Sequence, residues 1–585
     1  MKESREQWQK IVVKLGEAAL KRNLAPGWGW WFRVSRRGGL GGLLVAIRAR
    51  GAGRTVAVAL ALAVALGTGA WAVVSAAGTG ASGAAGFASS SRTAGVANAA
   101  GAVVAGVANV ELITVTNEAA ALSWVMVDES GRPAAGSVGT SVLTVTRDDR
   151  PGGLVWRVES AAGGSPYQYA EVHGLWPGVR YRWRVEAIGA GGADQGVEGV
   201  FATLIRPAGK ELFSFAVIND LHVGEMVSGL LSASPEFPPG MRSPFGNPAR
   251  PYWDVMLRTA VEDINRSGVS FVVADGDLTS GGRPSEVAAA KKLLDGLRMP
   301  YYVVRGNHDR PRGAGVEAEP AGTEINGLGG VAGAREDEYA GDALGEAFAG
   351  RGGLMDRVFR FGGIKFILID TLRPRVGAGQ FTEDSAAWLE RELDEAEKAG
   401  EKAFIFLHHN VSRVSAIFGL PPVKHALPWA DAKRLLGVVG RHHGVVAAII
   451  SGHTHRNLVT WSALAPDVPL IENAALKEYP GGYSVITVYE GGWTRAFWRV
   501  RGERGGASRA GAAAGVGGVG NAGAAAGASG TGTTDRADGA NSTAVEGWAD
   551  PLQWVDMTRG EYLGFYPAFA FGNLQDRNAA YEWPH

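Results

Sequence analysis

Five short motifs gather residue types that can hold metal ions: Asp220-Leu221-His222, Gly276-Asp277, Gly306-Asn307-His308-Asp309, His408-His409 and Gly452-His453-Thr454-His455. A carboxylate such as Asp277 can bridge two cations through its two oxygens. Imidazoles and an Asn carbonyl complete each shell without adding much negative charge, and such ligands suit iron, manganese or zinc. Two cations about 3.5–4 Å apart can hold both a hydroxide and a phosphoryl oxygen. Each motif alone is weak, since a lone Gly-His-Thr-His is more often an ordinary loop. The ordered set carries more, because each member also needs its own strand. A further pair, His442-His443, follows Arg441 in an expected loop and reads as surface.

Those strands are legible. Apolar runs at 213–218, 271–274, 301–304, 404–407 and 446–450 each precede one motif, and 366–369 is a further strand candidate. Strand-end loops are where open α/β sheets place ligands. A glycine before a ligand, as at Gly276, Gly306 and Gly452, lets the chain turn sharply. Helical patterns intervene, with residues 382–399 opening on Thr382 and two acids as an N-terminal cap. The chain has no cysteine, which excludes disulfides and thiolate metal sites.

The ordered set resembles the calcineurin-like metallophosphoesterase superfamily over residues 210–500. The resemblance implies an α/β catalytic domain built as a four-layer αββα sandwich. It also implies two divalent or trivalent ions (Fe, Mn or Zn) and hydrolysis of phosphate esters by a metal-bridging hydroxide. Asp220, His222 and His455 would bind one ion, Asn307, His408 and His453 the other, and Asp277 both. His308 would protonate the leaving oxygen or donate to a phosphoryl oxygen, and Asp309 would orient His308. The purple acid phosphatases carry a metal-binding Tyr three residues after the bridging Asp, where this chain has Ser280. The candidate ligand His222 fits instead the histidine-ligated branch, which includes cyclic-nucleotide phosphodiesterases. Asn410 replaces the Pro that many relatives have after the paired His. The substrate is expected to be a small phosphoester. A cyclic-nucleotide or glycerophospho-diesterase is one alternative. An extracellular adhesion or scaffold protein with an inactive phosphoesterase domain is another.

The rest of the 585 residues frames this domain. Acidic and basic residues balance at 58 each, and no basic cluster adjoins the metal motifs, so nucleic acid is not the expected partner. Residues 1–54 hold twelve Lys and Arg against three Glu and are expected to be cytosolic. Residues 55–77 are uncharged and long enough for a transmembrane helix or signal anchor, which would tie the chain to the membrane with the catalytic domain outside. Val74-Ser75-Ala76 offers a rival cleavage site, which would leave a secreted protein. Residues 78–107 and 501–546 read as Gly/Ala-rich linkers. Between them, short alternating runs from 108 to 205, with Trp124 on an early strand and Tyr181 after Leu175-Trp176-Pro177-Gly178, resemble an all-β fibronectin type III-like sandwich. Residues 226–251 and 310–350 are insertions that could wall the site. The last segment, 547–585, holds nine aromatic residues that either bind a partner or sugar or fold back onto the enzyme.

Overall fold

The structure, a computed structural model, describes residues 29–36, 42–51, 54–63, 106–134, 140–149, 155–159, 165–188, 196–225, 251–311, 341–348, 356–373, 378–412, 426–502, 550–561 and 566–584. The chain divides into two units, Met1–Ala97 and Asn98–His585. In the first, strands Gly29–Arg36, Gly42–Gly51 and Arg54–Ala63 form an antiparallel sheet in sequence order. The helix expected over 55–77 is therefore corrected at its start. Val, Thr and Leu in a short apolar run suit a strand as well as a helix, and periodicity alone does not separate the two. Residues 64–77 lie outside the described residues, as do most of both linkers and of the two insertions. Among the described residues no helix is long and apolar enough to cross a membrane.

The second unit opens with a two-sheet sandwich. Gly106–Val115, Ala119–Val127 and Tyr167–His173 form one sheet, and Val197–Ala202, Arg180–Ile188, Thr140–Arg147 and Val155–Glu159 the other. Leu122 and Trp124 meet Leu143, Val145, Trp156, Tyr181 and Val185 between the sheets. The Tyr181 hydroxyl accepts the Trp176 N–H at 2.8 Å and pins the preceding turn. Strand Ala119–Val127 is buried on both faces, because the outer face of its sheet packs Ile113, Ala121, Val125 and Tyr169 against Leu552 near the C-terminus and Phe497 of the α/β region that follows the sandwich.

That region has two mixed six-stranded sheets. The first runs Tyr301–Val304, Val272–Asp275, Glu211–Ile218, Gly482–Tyr489, Gly492–Arg499, Asn578–Glu582. The second runs Arg357–Phe361, Ile364–Ile369, Lys402–Leu407, Val446–Ser451, Ala465–Glu472, Leu458–Ser462. Strand alternation sorts the side chains into layers. Phe213, Phe215 and Val217 point into a middle core with Phe366, Phe404 and Phe406. Ala216 and Ile218 point outward, under helices Tyr252–Ser267 and Pro284–Leu294. Ile367, Ile405 and Leu407 face helices Glu383–Ala399 and Trp429–Arg441 on the other outside. The layers are thus helix, sheet, sheet, helix. The Thr382 hydroxyl accepts the Ser385 N–H and caps its helix.

The aromatic tail returns to this body. Helix Pro551–Glu561 buries Trp554 against Tyr252, with ring centroids 4.4 Å apart. The last strand pairs with Gly492–Arg499 and stacks Tyr581 on Trp493 at 4.1 Å.

Candidate metal centre

Strands Glu211–Ile218, Val272–Asp275 and Tyr301–Val304 run parallel in the first sheet, and Lys402–Leu407 and Val446–Ser451 run parallel in the second. Their five C-terminal loops carry all five motifs. Backbone bonds lace the first two loops together: Asp220 N–H to Gly276 O at 3.0 Å, and Leu221 and His222 N–H to Asp277 O at 2.8 and 2.9 Å. The His453 N–H joins the fifth loop to the first by donating to Asp220 Oδ2 at 3.0 Å.

The sharp turns sit on the candidate ligands themselves. Asp220, His222, Asp277, His453 and His455 have φ of 52°, 46°, 49°, 68° and 52°, a left-handed conformation uncommon outside glycine. Of the three glycines before ligands, Gly276 alone has positive φ, at 86°. At Gly306 the requirement is space, since a Cβ there would strike the backbone and carboxylate of Asp277.

The donor atoms converge. Asp277 Oδ2 lies 3.0 Å from His408 Nε2 and 3.6 Å from His222 Nε2. Asp220 Oδ1 lies 3.2 Å from His455 Nε2 and 3.9 Å from the Nε2 atoms of His222 and His408. Three groups, Asp220 with His222 and His455, Asp277 with His408 and His453, and His222 with Asp277 and His308, each keep their ligand atoms within 4.8 Å of one another. Asp220, His222, Asp277, Asn307, His408 and His453 are all buried. His222 Nε2 and Asn307 Oδ1 are buried without a hydrogen-bond partner. Orphaned polar atoms aimed at a common point are costly, and cations would satisfy them. The donor set therefore fits a pair of metal ions.

The electrostatics agree. Burial alone would raise Asp220, but the His455 imidazole and other neighbours outweigh it and hold the carboxyl well below its usual range. Asp277 behaves the same way, with His408 and His308 outweighing burial. In turn Asp277 overcomes the burial of His408 and pushes it up to about 10, and Asp220 does the same for His455. Burial, aided by Lys477 and His308, pushes His222 down to about 4. The carboxylates thus draw positive charge to the site, as protons on two imidazoles or as cations.

Several partners of the ligands carry no local sequence signal. His408 Nδ1 meets Asp275 O at 2.9 Å and His455 Nδ1 meets Glu478 Oε1 at 2.8 Å, which leaves each Nε2 for the site. Asn219 Nδ2 donates to Asp220 Oδ2 at 2.5 Å. The role expected of Asp309 is corrected. It accepts Leu278 N–H, Thr279 N–H, Thr279 Oγ1–H and Gly306 N–H, and so clamps the second and third loops. A buried carboxylate must satisfy its lone pairs, and here backbone N–H groups and the Thr279 hydroxyl do so. The His308 ring is held by Ser280 O, 2.8 Å from Nδ1. His442 is also corrected. It is buried, with Nδ1 at 3.1 Å from Glu397 and Nε2 at 3.3 Å from Glu390.

A probable glycerophosphodiester phosphodiesterase of Arcobacter nitrofigilis is 25% identical over 202 residues, covering 33% of this chain and 60% of the relative. A probable cyclic nucleotide phosphodiesterase of a Synechococcus strain is 22% identical over 197 residues, covering 34% of this chain and 62% of the relative. A crystal structure of a dimetal phosphatase from Danio rerio aligns with 18% identity and a TM-score of 0.34, covering 50% of this chain and 98% of that one. The chain spans about three fifths of the length of the curated relatives it matches. All five ligand loops fall within residues 213–457, which match the family model of the calcineurin-like phosphoesterases, and that stretch is a calcineurin-like phosphoesterase domain.

Proposed function

We propose that this chain hydrolyses phosphate esters at a binuclear metal centre. One observation carries the reading. Asp277 Oδ2 sits between His222 Nε2 and His408 Nε2, at 3.6 and 3.0 Å, where a carboxylate shared by two ions belongs. Asp220, His222 and His455 would hold one ion, and Asn307, His408 and His453 the other. When bound, such a pair supplies a hydroxide for in-line attack and neutralises charge on the phosphoryl oxygens. The His308 N–H fixes Asp277 Oδ1 at 2.8 Å, so that Oδ2 alone faces the imidazoles. The His308 ring is half-buried at the mouth. Its Nδ1–H donates to Ser280 O, so a ring protonated on both nitrogens would hand the Nε2 proton to the leaving oxygen.

A diester is the favoured substrate class, because the curated relatives are named as phosphodiesterases of glycerophosphodiesters and cyclic nucleotides. A scaffold with an inactive domain is disfavoured by the complete donor set. The test combines elemental analysis with a panel of alkyl monoesters, diesters and cyclic nucleotides, assayed with manganese, zinc or iron. Two ions per chain and hydrolysis that chelation abolishes are expected. Turnover that survives complete metal removal would reject the reading. With Ser280 where the purple enzymes have Tyr, an iron-loaded sample should show no intense tyrosinate band.

Two sequence readings extend this. The pinned turn at Tyr181 and the two-sheet arrangement support a fibronectin type III-like module at 108–205. The basic flank and the uncharged run at 55–77 support a membrane anchor with the catalytic domain outside, although that run begins in a strand. Protease added to intact cells should then remove the catalytic domain and spare a tag at Met1, and protection of the whole chain would reject that topology.

A further inference from the structure

We infer that the C-terminal tail is a positioning element of the metal centre, acting on His455 through Trp554, Lys477 and Glu478; this rests on the metal-centre reading above. The chain of contacts is continuous. The buried Trp554 indole donates from Nε1 to Lys477 O at 2.5 Å. Lys477 Nζ lies 3.3 Å from Glu478 Oε2 and 2.6 Å from Glu225 Oε2. Glu478 Oε1 meets His455 Nδ1 at 2.8 Å, and His455 Nε2 faces Asp220 Oδ1 at 3.2 Å. The Trp554 ring stacks on Tyr252, whose hydroxyl donates to the same Glu225 oxygen at 2.5 Å. In the same helix, the Thr558 hydroxyl accepts the Tyr479 N–H at 2.9 Å, so Glu478 has a tail contact on each side.

A second grip falls on the far side of His455. The Arg456 guanidinium lies 4.5 Å over the Phe569 ring. Asn457 N–H donates to Ala570 O at 3.0 Å, and Val459 N–H to Asp576 Oδ1 at 2.9 Å. His455 is a left-handed, non-glycine residue, and such a conformation persists only where its surroundings over-determine it. The tail supplies those surroundings from two directions, one through the ring's hydrogen-bond partner and one through the following backbone. The other grip of the tail, Trp583 Nε1 on Tyr489 O and Glu490 O at 3.2 and 3.0 Å, lies at the opposite end of the sheets. It offers a control that loosens the tail without touching the His455 network.

The experiment compares Trp554→Ala, Trp554→Phe and Trp583→Ala in the full chain. Manganese or zinc affinity is measured by chelator competition, beside the melting temperature of the chelated protein. Trp554→Ala should weaken one of the two ions by up to about 10-fold, the low end of the effect of losing a ligand's orienting partner because Trp554 acts through Lys477 and Glu478, and leave the other near wild type. Trp554→Phe keeps a ring on Tyr252 but loses the N–H, so a smaller loss at the same single ion is expected; it decides the matter if the alanine variant does not fold. Trp583→Ala should keep both ions at wild-type affinity even where it lowers melting as far. Wild-type affinity in both Trp554 variants, or metal loss that tracks melting temperature across all three proteins, overturns the inference. A wild-type protein that binds no metal would instead sink the underlying reading.

Discussion

Left-handed backbone at five candidate ligand positions costs on the order of 1–3 kcal/mol at each non-glycine residue. The laced loops hold it, and Asp309 is the knot, with four donors on its two oxygens. Asp309→Asn keeps the shape but turns one acceptor into a donor that faces N–H groups. The variant should lose about 1–3 kcal/mol of stability, read by denaturant unfolding, and an unchanged midpoint would show that the knot is dispensable. His308 has a different task. Its replacement by Ala should lower kcat/KM on an alkyl ester by about 10²–10⁴-fold. A nitrophenyl ester, whose leaving group departs without a proton, should lose far less, with metal content near normal. Equal losses on both esters would mean that His308 only stabilises charge. The candidate ligands stand out in the sequence, because Asp, His and Asn after apolar runs are chemically conspicuous. The role of Asp309 does not, because adjacency to His308 suggests contact whereas burial sends its oxygens to the backbone. Glu478 carries no signal either: it reaches His455 from 23 residues away in no motif.

The sandwich is fixed to its neighbour by a small charged cluster rather than hung on it as a spacer. Glu111 accepts Tyr479 Oη–H at 2.8 Å, Arg499 Nη1–H at 2.8 Å and Arg559 Nε–H at 2.9 Å. Three pieces of chain meet there: sandwich, catalytic sheet and tail helix. Burial tends to raise Glu111, but Arg499 and Arg559 outweigh it and hold the carboxyl below its usual range. A depressed folded pKa means that the stabilisation is present above the unfolded value of about 4.3 and fades as pH falls through the folded one. Glu111→Ala should cost about 3–5 kcal/mol near neutral pH, since it strands the buried Arg499 and the partly exposed Arg559. Its penalty should shrink below pH 4, and a penalty that stays constant across that range would exclude the carboxylate as its source. The alternation that reveals strands served well at 180–188, where faces differ. It is weak at Tyr167–His173 and Val197–Ala202, whose burial does not alternate, and at Arg54–Ala63 an apolar run satisfies either period.

Across the molecule, the catalytic sheets draw on residues from 211 to 582. The pattern of strand, helix and motif from 213 to 457 announced an α/β core, but not that its edge is closed by residues beyond a Gly/Ala-rich stretch. Strand Asn578–Glu582 covers Gly492–Arg499, and Arg495 there reaches Asp576 O and Asn457 Oδ1 while fully buried. A chain stopped before residue 578 should expose that edge and self-associate, which light scattering of the purified protein would register. A truncated protein that stays monomeric with native melting would show that the edge protects itself. The same closure bears on biosynthesis. Ribosomes make about 5–20 residues per second, so several seconds separate the emergence of Arg499 from that of Asn578. During that interval the nascent chain holds every candidate metal-binding residue but an unfinished sheet, and a chaperone would meet it in that half-built form.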